Sequence, residues 1–445
     1  MESTLLERRA RAGQLVDTIA LAGLTVVLSV PFLVSGAGFY REDWKALSDA
    51  RTSGWWAAGS VVWARRPLGA VLYALVYGGI GDHPRAAFAA VLAVNVAVTV
   101  MLLAVARRLL DRWTAAAVVF VFVLLPSRSS LVHWVNGIAL ESGLLLLLVG
   151  AWLLLRAVER HGSVWPAVAV IVASTMVYDP TVVAGALVLV AVPRLLTGRY
   201  SRDLVAAAAL LLVVRIPWSI LTASGQPELI PLNDAFSSNF GWGVVSPRPA
   251  WLLLQCLVLV GIALAGIRVL RGHGERDREG LVLAGLVIFV TGMVPFLQTG
   301  ADVDFLGIGD RANFIAAVGA ACVFVGIIRM LRTPTVAATL LVLGLGFACL
   351  PLRTTQDHRW EQTWSASNDL LDRARHELAS GHQHLWYGPR IIDCGGVEGI
   401  SGDASDALHV WTGNRHATLE FDPARPAGHD HVDTGSITCE LKIHP

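Results

Sequence analysis

The chain has 445 residues, 54% of them hydrophobic and 16% charged, with a formal net charge of +1 and a mean hydropathy of +0.58. That apolarity excludes an ordinary water-soluble enzyme, and the near-zero net charge gives no ground for nucleic-acid binding. The basic residues are almost all arginine, Lys45 and Lys442 being the exceptions.

Arg8, Arg9 and Arg11 precede an apolar run over 15–35 that is long enough to cross a bilayer, which predicts an uncleaved first helix with its N-terminus inside. Further apolar segments fall at 86–106, 113–126, 138–156, 164–178, 181–196, 203–220, 250–270, 280–298, 311–330 and 335–350. The sequence therefore predicts a polytopic α-helical membrane protein with about 11 transmembrane helices. The arginine clusters at 107/108/112, 156/160, 194/199/202, 268/271/276/278 and 329/332 share one side of the membrane only if segment 67–80 does not cross. That segment is short and lies near Trp55, Trp56, Trp63 and Tyr73, so it reads as an interfacial or re-entrant helix inside a large outer loop, 37–85.

From residue 353 the composition turns to Asp, His, Gly and Pro, which divides the chain into a membrane domain, 1–352, and a C-terminal domain, 353–445, placed outside by an odd number of spans. Residues 360–379 read as a helix, and 407–412, 417–421 and 436–443 as short strands, predicting a small extracytoplasmic α+β domain. Cys394 and Cys439 are available there for a disulfide, whereas Cys256, Cys322 and Cys349 sit in apolar segments and read as core residues. Nine of the 13 histidines are in this tail, with His-x-His spacing at 382/384 and 429/431, but no third ligand stands at a diagnostic distance. No phosphate-binding loop, nucleophile elbow or dinucleotide fingerprint is present.

Ionisable groups within a bilayer are costly and mark function. Glu141, Asp179, Arg215, Gln298 and Arg311 fall near the outer ends of five segments, which suggests one outward-facing polar cavity; taken singly, each also fits an interfacial side chain reaching for headgroups. Tyr40-Arg41-Glu42-Asp43-Trp44 follows the first span, and adjacent carboxylates at a membrane surface can supply a general base. Arg65-Arg66-Pro67-Leu68 and Asp310-Arg311-Ala312-Asn313-Phe314 offer guanidiniums of the kind that grip phosphate, or that anchor anionic lipid.

In their order along the chain these features resemble the GT-C superfamily of membrane glycosyltransferases that use polyprenyl-phosphate sugars. The likeness is closest to the protein O-mannosyltransferase-like branch. The acidic pair after the first helix is matched by Glu42-Asp43, the Arg-Pro-Leu of the first outer loop by Arg66-Pro67-Leu68, and the proline before the next long span by Pro84. A Pro-x7-Trp element with a following glycine is matched by Pro126, Trp134 and Gly137, and a late Arg-x-x-aromatic-x4-Gly element by Arg311, Phe314 and Gly319. Five positions in three elements depart from the pattern. Arg128 and Ser130 stand where branch members carry His and Glu, Asn95 replaces a histidine on the second span, and Tyr178-Asp179 replaces a Lys-Glu pair.

The resemblance implies an inverting transfer of a sugar from a polyprenyl-monophosphate donor to a hydroxyl of an extracytoplasmic glycan, lipid or protein acceptor. Asp43, with Glu42 beside it, would be the base, while Arg311, Arg66, Arg65 and Arg215 would bind the donor phosphate. Tyr40, Trp134, Asn95, Glu141, Asp179 and Gln298 would line the cavity. A monophosphate leaving group held by arginines needs no metal, so no cofactor is expected, although the residues leave a divalent ion open. The apolar rim would seat the prenyl chain, which makes membrane lipid a partner. Arginine, alanine, valine and glycine usage with almost no lysine fits a high-GC bacterial genome, and hence a plasma-membrane protein using a bacterial polyprenyl carrier. Two other classes remain open at this stage: a non-catalytic scaffold or sensor, for which the missing second acid speaks, and a lipid or solute transporter, which should show the inverted repeats this sequence lacks.

Overall fold

In a computed structural model of the chain, the residues described are 2–197, 201–221, 258, 260–266, 268, 278–297, 313–387, 397, 399–400, 404–421 and 431–432. Gln298, Arg311, Cys394, Cys439, the segment 436–443, His429 and most of 250–270 lie outside the described residues.

Helices dominate, as the apolar runs require. The first, α1 (Glu2–Ser35), leads through a short loop to α2 (Glu42–Ser53), α3 (Ala57–Trp63) and α4 (Pro67–Tyr73), which continues as a π-helical stretch, Ala74–Ile80. There follow α5 (Pro84–Leu109), α6 (Arg112–Leu124), a bent element of a 3₁₀ turn (Pro126–Arg128) and α7 (Ser129–His133), then α8 (Gly137–Glu159), α9 (Trp165–Val177), α10 (Thr181–Thr197) and α11 (Arg202–Leu221). Further along come α12 (Glu279–Leu297), α13 (Asn313–Met330) and α14 (Thr335–Ala379).

Among the described residues five helices are long and apolar enough to cross a membrane: α1 from Ala12, α5, α8, α13 and α14. A sixth candidate is the pair of α6 and the Pro126–His133 element, bent by 73°. Segments 67–80, 165–177, 181–197 and 279–293 are shorter apolar helices. Large apolar side chains, among them Leu15, Ile19, Val27, Val34, Leu210, Val213, Leu340 and Phe347, stay exposed on these helices, as surfaces facing hydrocarbon do. The architecture is that of an α-helical membrane protein.

Close approach of helices rests on small residues, because lipid tails compete with leucine and only backbone proximity adds packing. Between α12 and α13, Cβ atoms placed on Gly285 and Gly319 would lie 2.7 Å and 2.4 Å from backbone oxygens of the opposite helix. At the arginine-rich end, Asp17 of α1 takes Arg107 (3.0 Å) and Arg112 (2.7 Å), and Asp111 takes Arg329 (3.3 Å). The clusters at 107/112 and 329 therefore meet on one side.

Helix α14 runs unbroken for 45 residues, through residue 353 where the composition changes. Beyond it β1 (His384–Tyr387) is the central strand of a parallel three-stranded sheet, flanked by β2 (Thr418–Phe421) and β3 (His431–Val432). The connection to β2 carries α15 (Ala404–Thr412). Residues 407–412, expected as a strand, are thus helical. The segment reads as a strand because Val410, Trp411 and Thr412 favour sheets, but Ala404, Ala407 and Leu408 recur at helical spacing and are buried together with Val410.

Candidate functional site

The α1–α2 loop is built to present Asp43. Arg41 caps α2 with φ at +45°, a conformation unfavourable for a side-chain-bearing residue, and its backbone N–H donates to the Gly399 carbonyl of the tail at 2.8 Å. The Tyr40 hydroxyl lies 2.9 Å from the Gly36 carbonyl and 3.0 Å from that of Trp360, and Trp134 Nε1 donates to the Tyr40 carbonyl at 3.2 Å. Trp44 stacks on Trp364 of α14 with centroids 6.0 Å apart. Gly38 permits this, since a Cβ there would lie 2.2 Å from the Trp364 ring.

Asp43 is completely buried. Its Oδ2 accepts from the Tyr40 N–H at 3.0 Å and its Oδ1 from the Tyr77 hydroxyl. Burial, reinforced by the Glu42 charge, pushes its carboxyl from 3.8 up to about 8 against the opposing pull of those donors and of the Asn136 backbone N–H. Tyr77 packs edge-on against Tyr73 (5.8 Å between centroids), whose hydroxyl donates to Asn136 Oδ1.

On the far side of Tyr73 stand the arginines. Asp179, 3% exposed, receives Arg65 through Nη2 at 2.6 Å and Nε at 2.8 Å on Oδ2, and Arg66 through Nε at 2.5 Å on Oδ1. Arg66 also lies over the Tyr178 ring, 4.2 Å from its centroid. Burial opposes its charge, but Asp179 and the neighbouring tyrosines outweigh that and hold the guanidinium more firmly protonated than usual. Arg215 Nη2 donates to the Thr175 carbonyl at 2.6 Å and approaches the Arg65 carbonyl at 3.3 Å. Two guanidiniums thus share the Asp179 carboxylate and a third stands beside them on backbone carbonyls, a concentration of positive charge suited to an anion. Gly69 lets α4 carry Arg66 this close to α9, for a Cβ there would be 2.6 Å from the Val177 carbonyl.

The structure therefore brings together Asp43, Glu42, Tyr40 and Trp134 on one side, and Arg65, Arg66, Arg215 and Asp179 on the other, with Tyr73 in electrostatic reach of both Arg66 and the Glu42-Asp43 pair. Glu141 and Asn95 do not join this cluster. Glu141 pairs with Arg128 at 2.7 Å, and the same guanidinium reaches Asn95 Oδ1 at 3.3 Å while lying over Phe122. This is a buried internal ion pair, so the expected single cavity divides into a site and a separate internal bridge. A third buried contact, His133 to Asp357 at 2.9 Å, ties α7 to α14.

Tyr77 and Asn136 escaped the reading of the sequence, and Tyr73 entered it only as an interfacial aromatic. The i, i+4 spacing of the two tyrosines was the available signal, but nothing local says that Asp43 lies opposite them. In the tail, His384 Nδ1 meets Thr418 Oγ1 at 2.9 Å and His382 Nδ1 stands 3.8 Å from Glu377. Among the described residues no three His, Cys, Asp or Glu side chains converge in a way that would hold a metal.

No protein-family model, curated protein or solved structure matches this chain.

Proposed function

We propose that the protein is an inverting membrane glycosyltransferase of GT-C type, with about 11 spans, an inside N-terminus and an outside C-terminal α+β domain, resident in the plasma membrane of a bacterium. The observation that carries this reading is the placement of a buried Asp43, its carboxyl raised to about 8, and a three-arginine cluster on either side of the Tyr73–Tyr77 pair.

Inverting transfer needs a base at the acceptor hydroxyl and cations at the leaving phosphate. The acceptor oxygen attacks the anomeric carbon on the face opposite the phosphate. The bond from that carbon to the phosphate oxygen breaks, Asp43 takes the hydroxyl proton, and the polyprenyl phosphate departs with the bonding electrons. Arg65, Arg66 and Arg215 would stabilise the charge gathering on it, and Arg311, outside the described residues, would join them. Asp179 fits the role of orienting Arg65 and Arg66 so that their remaining N–H groups face the donor.

The test is transfer of radiolabelled sugar from polyprenyl-phosphate donors to membrane acceptors, in cells carrying the intact gene, a deletion, or Asp43→Asn. Label lost in the deletion and in the variant, at normal protein level, is the expected result. Label unchanged in all three, across the plausible donor sugars, overturns the reading in favour of a scaffold or transporter.

A further inference from the structure

A cavity of about 360 Å³ opens where α1 ends and α5 begins, with Val34, Ser35, His83, Arg85 and Trp364 on its walls and neither Asp43 nor the arginine cluster among its lining residues. Both helices are spanning-length apolar segments that terminate here, which fixes the depth of the cavity as a membrane surface. Tryptophan is favoured at that depth.

The charges are set to take an anion. His83 and Arg85 are exposed neighbours and make no ion pair among the described residues; Arg85 Nη2 only approaches the Val34 carbonyl at 3.3 Å. Of the nearby acids, Asp82 pairs with Arg51, and Glu361 is taken up by the Ser35 hydroxyl of the cavity wall and by His358. Below the cavity the outer side of α1 continues as Val34, Val30, Val27 and Val26, all exposed, Val34 to 65%. A strip of exposed valines leading down from a cationic rim is the complement of a molecule with a phosphate head and an acyl tail.

We infer that this cavity binds an anionic phospholipid of the adjoining leaflet, its phosphate between His83 and Arg85 and one acyl chain along the Val34–Val26 face of α1. One exposed guanidinium with an imidazole donor beside it holds a free phosphate weakly, so the tail contact is what makes the site selective for lipid. The inference does not depend on glycosyl transfer.

The test uses full-length protein in detergent and follows retained lipid by native mass spectrometry, with thermal unfolding as a second readout. Phosphatidylglycerol should be retained in preference to phosphatidylcholine, and should raise the unfolding temperature, whereas inorganic phosphate should not. The double variant His83→Gln/Arg85→Gln should lower phosphatidylglycerol affinity about tenfold, the loss of one charge-assisted contact. Val34→Glu, which keeps His83 and Arg85 and charges the tail path, should lower it as well. Unchanged preference in both variants, or stabilisation by inorganic phosphate equal to that by the lipid, overturns the inference.

Discussion

Tyr77 donates its hydroxyl proton to Oδ1 of Asp43, while the Tyr40 backbone N–H holds Oδ2 at 3.0 Å. Both oxygens of the candidate base are thereby oriented, one by the α1–α2 loop and one by the π-helical stretch, and both donors favour the ionised form. Burial outweighs them and leaves the carboxyl near 8.

A base with that property ionises only above neutrality. Transfer should therefore rise with pH along a limb centred near 8, with about a tenth of the carboxylate available at pH 7. Tyr77→Phe removes a donor that favours the carboxylate, so the limb should move to higher pH. Asp43→Asn should lower the rate by about 10²–10⁴-fold with no pH limb left. Initial rates across pH 6–10 in proteoliposomes check all three.

Arg66 meets Asp179 through a guanidinium edge and lies over Tyr178, neither of which an ammonium reproduces. Arg66→Lys should therefore lower kcat/KM for the donor by about 10–100-fold, close to the effect of losing one or two charge-assisted hydrogen bonds. Donor titrations on the purified variant measure this, and near-wild-type kinetics would remove Arg66 from the phosphate site.

Glu141 and Arg128 are buried, so removing one partner leaves a charge uncompensated. Glu141→Gln should destabilise the protein by about 3–5 kcal/mol, whereas the double change Arg128→Met/Glu141→Leu should recover much of it. Detergent-phase thermal unfolding of the three proteins separates a structural bridge from a catalytic pair.

Gly38→Ala places a methyl where the Trp364 ring now lies, 2.2 Å from its nearest atoms. The expected cost is about 1–3 kcal/mol of overpacking. In a Trp364→Leu background that cost should fall, and a double-mutant cycle on unfolding temperatures reads the coupling.

The helical architecture was legible because apolar runs of bilayer length leave little choice, and the predicted bounds for segments such as 86–106 and 138–156 fall inside α5 and α8. The acidic pair and Arg65-Arg66 were legible as chemistry, but their mutual placement was not. Asp179 reads as one of five polar residues at helix ends, and only the packing of α4 on α9 selects it as the partner of both arginines. Glu141 looked equivalent to it in the sequence. It differs because the bend after Leu124 turns Arg128 inward to meet it. Trp411 and its neighbours misled through local propensity, which the packing of Ala407 and Leu408 overrode.

Tyr40 and Trp360 are separated by 320 residues, and Gly399, which fixes Arg41, stands later still. At ordinary rates of synthesis, about 5–20 residues per second, the first outer loop waits on the order of 20–60 s for the residues that close over it. The candidate base is thus made more than 300 residues before its setting is completed. A nascent or truncated chain that ends before α14 would carry Asp43 without its clamp, which ties maturation of the site to arrival of α14 and Gly399.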